Sequence, residues 1–147
     1  MESRADIEQL LKDGHTVQTV INGYSMYPML VPDRDSVILA PLQGYVPRRG
    51  DVVLYRRDNS ILVLHRIWRV RQDGVYMVGD NQTEIEGPLR QDQIRGSLAA
   101  FIRKGKHVSV GNIYYRAYAL VWLWMRPIRH KVAVAVHAVK KFRRHRE

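Results

Sequence analysis

The chain predicts a mainly β body with a short N-terminal helix and C-terminal helical segments. Three observations lead there. Between residues 36 and 110, runs rich in Val, Ile and Leu alternate with turn signals built from Gly, Pro, Asp and Asn. Ahead of them, residues 4–13 (RADIEQLLKD) place Ile7, Leu10 and Leu11 at helical spacing. Behind them, Ile113, Tyr114, Ala117, Tyr118, Val121, Trp122 and Met125 recur every three or four positions. The expected organisation is an N-terminal helix over 1–14, a β body over 15–110 and an aromatic, basic helical tail over 111–147.

Each element has a local reason. The first helix ends at Gly14, which suits the left-handed conformation of a helix C-terminus. HTVQTVI (15–21) carries β-branched residues in alternation and reads as a strand. SVILAPL (36–42), DVVLYRR (51–57), ILVLHRIWRVRQ (61–72), VYMVGD (75–80) and QIRGSLAAFIRKG (93–105) read as further strands. Asp73-Gly74 between two of these runs signals a tight hairpin, and Asp58-Asn59 suggests another. Gly87-Pro88 reads as a turn. Pro127 ends or kinks the aromatic helix. Beyond it, Ile128, Val132, Val136 and Val139 line one face of a second helix, although VAVAV (132–136) also alternates like a strand.

Composition sets limits. The 147 residues suit a single core, and 46% hydrophobic against 26% charged residues argues against disorder and against full membrane embedding. There are no cysteines, so disulfides, thiolate zinc sites and a cysteine nucleophile are excluded. The net charge is +10, and residues 126–147 concentrate it, with eight Lys/Arg against one acid. An anionic membrane surface fits such a tail. No nucleic-acid-binding motif accompanies it, so nucleic acid is not an expected partner. The histidines share no metal-ligand spacing, and neither a metal nor another cofactor is expected. MESRADIEQLLKDGH lacks the apolar core of a signal peptide. The longest apolar run, AYALVWLWM (117–125), has nine residues against the roughly 20 of a spanning helix. The expected location is peripheral on a membrane or cytoplasmic.

Three stretches carry chemistry: GYSMYPM (23–29), RGDVVLYRR with LVLHRI (49–67), and VGDNQTEIEG (78–87). In that order they supply a hydroxyl, an imidazole and carboxylates beside β-elements. A serine hydroxyl keeps its proton at neutral pH. It becomes a nucleophile when a base takes that proton and a third group orients the base. Ser25, His65 and Asp80 or Glu86 are the candidates.

These stretches resemble the boxes of type I signal peptidases. GYSMYPML matches the Ser-Met-x-Pro serine box, RGDVV and LHRI match the boxes that follow, and GDN (79–81) matches the last. The likeness to this S24/S26 serine peptidase superfamily covers about residues 20–105. It implies a coiled β-sheet body shared with the self-cleaving repressors. Where the bacterial leader peptidases and those repressors use a lysine base, this chain has His65, as in the endoplasmic-reticulum, archaeal and sporulation-type enzymes. The resemblance implies Ser25 as nucleophile, His65 as general base and Asp80 as orienting acid, with Glu86 in reserve. It implies an oxyanion donor at the Ser25 N–H; Gly23 stands where some relatives carry a second, hydroxyl donor. Gly23, Tyr24, Met26, Met29 and Leu30 are the expected substrate-binding residues. The implied activity is endopeptidase cleavage of leader or signal segments after small residues. A non-catalytic peptide-binding or membrane-docking module on the same fold is the alternative. A self-cleaving repressor is a further one, weakened by the missing lysine and by the lack of a helix-turn-helix stretch before Ser25.

Overall fold

The structure is a computed structural model that describes residues 4–58 and 61–144. Among them, eight strands form one antiparallel sheet: β1 (Val17–Val20), β2 (Asp35–Ala40), β3 (Val52–Arg56), β4 (Leu62–Arg71), β5 (Gly74–Val78), β6 (Glu86–Leu89), β7 (Ile94–Arg103) and β8 (Lys106–Ser109). Their order across the sheet is β1-β2-β7-β3-β4-β5-β6, with β8 paired to β7. Helix α1 (Arg4–Lys12) precedes the sheet, and α2 (Ile113–Trp124) and α3 (Arg129–Arg144) follow it. The mainly β class is the one the sequence predicts. No helix among the described residues is long and apolar enough to cross a membrane.

Strand β3 shows why the sheet is ordered this way. Its Val52 and Leu54 join a core with Val37, Leu39, Leu98 and Phe101 on one face. Its Val53 and Tyr55 join a second core with Ile67, Met77 and Ile94 on the other. A strand buried on both faces has no polar side to alternate with, so it reads as the unbroken run VVLY. β2 alternates buried and half-buried positions along its length. The ladder sets Val53 opposite His65 and Tyr55 opposite Val63. Tyr55 and His65 therefore lie diagonally on one face, within reach of each other.

The Asp73-Gly74 hairpin joins β4 to β5 as expected. Gly74 has φ +145, and a Cβ there would stand 2.6 Å from the Leu89 carbonyl oxygen. β3 and β4 are antiparallel neighbours, but Asn59 of the second expected hairpin lies outside the described residues. Two strands differ from expectation. β6 contains Gly87-Pro88, which signals a turn in sequence; it holds a place at the end of the sheet, where a proline interrupts no inner ladder. β8 is a four-residue extension of the β7 hairpin, too short to announce itself.

Helix α2 begins where the Asn112 side chain accepts hydrogen bonds from the N–H groups of Tyr114 and Tyr115. Its buried stripe is Tyr115, Ala119 and Leu123. The expected stripe through Tyr114 and Val121 is corrected: both are exposed, as are Ile113 and Trp124. The helix is apolar on nearly every side, so spacing alone did not distinguish its faces. The VAVAV stretch is helical within α3, not a strand.

The loop from Ile21 to Arg34, which carries Ser25, is held at its far end by Asp35. This carboxylate is 4% exposed and accepts from the Val31 N–H at 2.9 Å and from Arg103 Nε at 2.8 Å. Arg34 adds a third set of bonds. Burial pushes the Asp35 carboxyl upward, but the Arg103, Arg34 and Val31 bonds outweigh it and hold the group below the usual carboxylate range. A carboxyl depressed by folding contributes stability above its unfolded value of about 3.9, and that stability is lost as pH falls through its lower folded value. Asp35→Ala is expected to lower unfolding free energy by about 3 kcal/mol at neutral pH, read by urea denaturation. The difference from wild type should shrink below pH 4.

Candidate active site

Ser25 occupies one tight turn. Gly23, with φ +78, delivers the chain into it, and the Tyr27 and Leu30 N–H groups donate back to the Tyr24 and Met26 carbonyls. A Cβ on Gly23 would meet no atom within 4 Å, so its conformation, and not crowding, favours glycine there. The Ser25 carbonyl accepts the Asn81 N–H at 2.8 Å, which ties the turn to the Gly79-Asp80-Asn81 loop. A Cβ on Gly79 would lie 2.7 Å from that same oxygen. Glycine there allows the serine and acid boxes to pack backbone to backbone. Half-buried Ser25 donates its N–H to no backbone carbonyl among the described residues.

His65, 3% exposed on β4, faces a polar chain that the sequence did not announce. Its Nδ1 lies 3.1 Å from the Tyr55 hydroxyl. That hydroxyl donates to Glu86 Oε2 at 2.5 Å. Arg57 clamps both Glu86 oxygens, at 2.8 and 3.0 Å. Burial first, and then the bond to Glu86, raise the Tyr55 phenol, so it stays protonated. A phenol has one proton, and here it is given to Glu86. The Tyr55 oxygen must therefore accept from His65 Nδ1–H. This assigns the imidazole tautomer and leaves Nε2 with its lone pair, the atom a general base needs.

Burial tends to raise the Glu86 carboxyl, but the Arg57 and Tyr55 hydrogen bonds bring it below its ordinary value. It is the anionic end of the chain. His65 is drawn down to about 4, chiefly by burial, with Glu86 pulling the other way. The imidazole is therefore neutral at physiological pH.

Asp80, the expected orienting acid, makes no hydrogen bond to His65 among the described residues. Both Asp80 oxygens accept from Arg66 at 2.8 Å, and both side chains are fully buried. A carboxylate held by a bidentate guanidinium is a structural tie. The reserve residue, Glu86, is the acid that reaches His65, and it does so through Tyr55. The expected lining by Met26, Met29 and Leu30 is corrected. All three belong to the core on the Leu54 face, with Leu30 fully buried. Their apolar side chains found more contact inside than a groove could offer. Tyr24 is 60% exposed, and with Tyr27 and Pro28 it lines a cavity of about 1130 Å³ that also reaches Arg57 and Glu86.

The structure thus brings Ser25 to the 79–82 loop and His65 to the Tyr55–Glu86 chain, with no hydrogen bond between Ser25 and His65 among the described residues. Tyr55 and Arg57 are the site residues that sequence reasoning missed. A tyrosine inside a strand buried on both faces needs a partner for its hydroxyl, and that was the available signal. No group of three or more His, Asp or Glu among the described residues is arranged to hold a metal. No protein-family model matches this chain, and no curated protein matches it.

The lowered His65 gives a direct test. Between pH 4 and 6.5 the unfolded chain binds this proton and the folded chain does not. Stability linked to His65 is therefore fully present above pH 6.5 and declines as pH falls toward 4. NMR of the imidazole nitrogens is expected to show a neutral, Nδ1-protonated ring down to about pH 4. In Tyr55→Phe the fixed tautomer should be lost and both forms appear.

Proposed function

We propose that this protein is a serine endopeptidase of the signal-peptidase type, with Ser25 as nucleophile, His65 as general base and Glu86 as orienting acid acting through Tyr55. The observation that carries the reading is the Arg57–Glu86–Tyr55–His65 chain, which ends in a free Nε2. A buried histidine with a purely structural role needs no oriented carboxylate behind it. The likeness of the serine, histidine and Gly-Asp-Asn stretches to the signal-peptidase boxes supports the same chemistry.

In this mechanism Nε2 takes the Ser25 proton as Oγ attacks the scissile carbonyl. The Ser25 N–H, without a backbone acceptor of its own, donates to the developing oxyanion. Nδ1–H stays on the imidazolium, and the Tyr55 oxygen and the Glu86 charge stabilise it. Nε2–H then protonates the leaving amine, and water releases the acyl group by the same steps in reverse order of roles. Substrate binding has to bring Ser25 and His65 into contact, as catalytic bonds in free enzymes commonly tighten when substrate arrives. The substrate is an extended leader-like segment with small residues next to the cut.

The missing Ser25–His65 bond favours one second reading, a module that binds such peptides without cutting them. Incubation with a leader-peptide library, read by mass spectrometry of new termini, separates the two. Cuts after small residues are expected, and Ser25→Ala and His65→Ala should abolish them. Glu86→Gln and Tyr55→Phe should lower kcat by about 10²–10⁴-fold, the range for losing a base or its orienting partner. Wild-type protein that binds peptides as tightly as Ser25→Ala and cuts none would leave the binding module.

A peripheral membrane location belongs to the same proposal. α2 turns Ile113, Leu120, Val121 and Trp124 outward, and exposed Val139 and Phe142 follow on the basic α3. Apolar and aromatic side chains beside Lys140, Lys141, Arg143 and Arg144 suit an anionic bilayer surface. The chain is expected to co-sediment with phosphatidylserine vesicles far more than with phosphatidylcholine vesicles. Trp124→Ala should weaken that binding, and 0.5 M salt should release it.

A further inference from the structure

One polar cluster, underneath α2 and at the start of α3, takes no part in the Ser25–His65 chemistry. Arg129 is 3% exposed, yet its Nε and Nη2 have no hydrogen-bond partner. The Tyr118 hydroxyl is buried and unpaired as well. These are all the buried side-chain polar atoms left without a partner among the described residues, and they share one place. Tyr118 stacks on Trp122 at 5.8 Å, and the Arg129 guanidinium lies 5.8 Å from the Trp122 ring.

The charges there do not balance. The neighbouring acid is Asp80, and Arg66 already holds both of its oxygens. Arg129 reaches only the Asp80 carbonyl, through Nη1 at 3.3 Å. A buried cation with two idle donors is costly unless something anionic completes it. Arg129 also lines the large cavity that runs past Tyr24, Tyr27 and Glu86. Lys140 adds a further cation to that wall, and Glu84 a lone exposed acid. Glu86 on the same wall is neutralised by Arg57.

We propose that Arg129, with Tyr118 beside it, forms an oxyanion site that takes a carboxylate of the bound peptide, so that substrates carry an acidic residue at a fixed distance from the cut. The ligand assignment rests on the peptidase reading, since the cavity is lined by Tyr24, Tyr27 and Pro28, the neighbours of Ser25 in its turn, and by Glu86. The planar guanidinium suits a carboxylate, to which Nε and one Nη nitrogen present parallel donors. Both nitrogens are shielded from water, so no solvent bond is exchanged when the carboxylate arrives. The residue lines the cavity, and in this proposal its side chain rotates to present these nitrogens to the ligand. A free phosphate offers the same oxyanion chemistry, and the test separates the two sources.

Ser25→Ala protein, which holds peptides without cutting them, is titrated with alanine-rich 14-residue peptides carrying one Glu at each position in turn, and with the matching Gln peptides. At one or two adjacent positions Glu is expected to bind about tenfold more tightly than Gln. That ratio should fall to about one with Arg129→Met added and stay above one with Arg129→Lys. In parallel, inorganic phosphate at constant ionic strength should raise the Tm of the unsubstituted chain and leave that of Arg129→Met unmoved. Arg129→Met should itself melt no lower than wild type, because it replaces an unpaired buried charge by an apolar side chain of similar length. A marked fall in Tm would make Arg129 a mere prop for the Asp80 carbonyl and overturn the proposal. Equal Glu and Gln affinities at every position, or a Glu preference that survives Arg129→Met, would overturn it while leaving peptide cleavage intact. A phosphate shift that needs Arg129, in a protein that neither binds nor cuts any peptide, would keep the oxyanion site and overturn the peptidase reading. The absence of both effects would overturn the site.

Discussion

The Arg66–Asp80 pair holds together parts of the chain that are distant in sequence. Both side chains are fully buried, and a fork of two bonds at 2.8 Å joins them. Arg66 also donates to the Gly50 carbonyl and to the Tyr115 hydroxyl, so β4, the turn before β3 and α2 meet at one guanidinium. The Asp80 carbonyl accepts from Trp122 Nε1 at 2.8 Å, which fastens α2 a second time. One residue on, the Asn81 N–H holds the carbonyl of Ser25. Removing one partner of a buried ion pair typically costs about 3–5 kcal/mol, because the other charge is left without solvent or partner. Here the loss would spread to the serine turn and to the C-terminal helices.

This hub explains why the Gly-Asp-Asn stretch has the composition it does. Glycine allows the serine turn to approach within van der Waals contact. Aspartate neutralises the one arginine that β4 turns inward, and asparagine supplies the backbone donor. The hub also divides labour between the two acids of that region. Asp80 spends both oxygens on Arg66 and gives His65 no hydrogen bond. Glu86, six residues later on an edge strand, is free to bond Tyr55. Opposing effects then act on His65. Burial first, and the Arg57 charge after it, lower its proton affinity, while the Glu86 and Asp80 charges restore part of it, with burial winning. The result is an imidazole that is neutral and oriented, with its base nitrogen unoccupied.

The C-terminal helices are part of this arrangement as well as a surface. Trp122, Arg126 and Arg129 donate to the carbonyls of Asp80 and Thr83, so one face of the helical tail closes over the acid loop. The opposite face of α2 stays apolar and exposed. The aromatic stretch thus has one packed and one exposed face that sequence spacing could not separate, because tryptophan at 122 and tryptophan at 124 point to different sides of one helix.

By itself the sequence determined the elements and the chemical inventory. Alternating and continuous apolar runs marked the inner strands, Asp73-Gly74 marked its hairpin, and helical spacing marked α1, α2 and α3, because these signals depend on residues close together in the chain. Ser25, His65 and the two acids were legible from their types and order. Tertiary structure decided which of them meet. Tyr55 and Glu86 are 31 residues apart, and β3 and β6 are not neighbours in the sheet, so no local pattern records that their side chains bond. Asp80 and Glu86 look alike in sequence. The reach of Arg66 across 14 residues assigned one to structure and left the other for His65. Met26, Met29 and Leu30 read as groove residues beside a serine, and the core claimed them because burial against β-strands removes more apolar surface from water than an open cleft does. Periodicity reports how a segment repeats along itself, whereas these choices were made by contacts across the sheet.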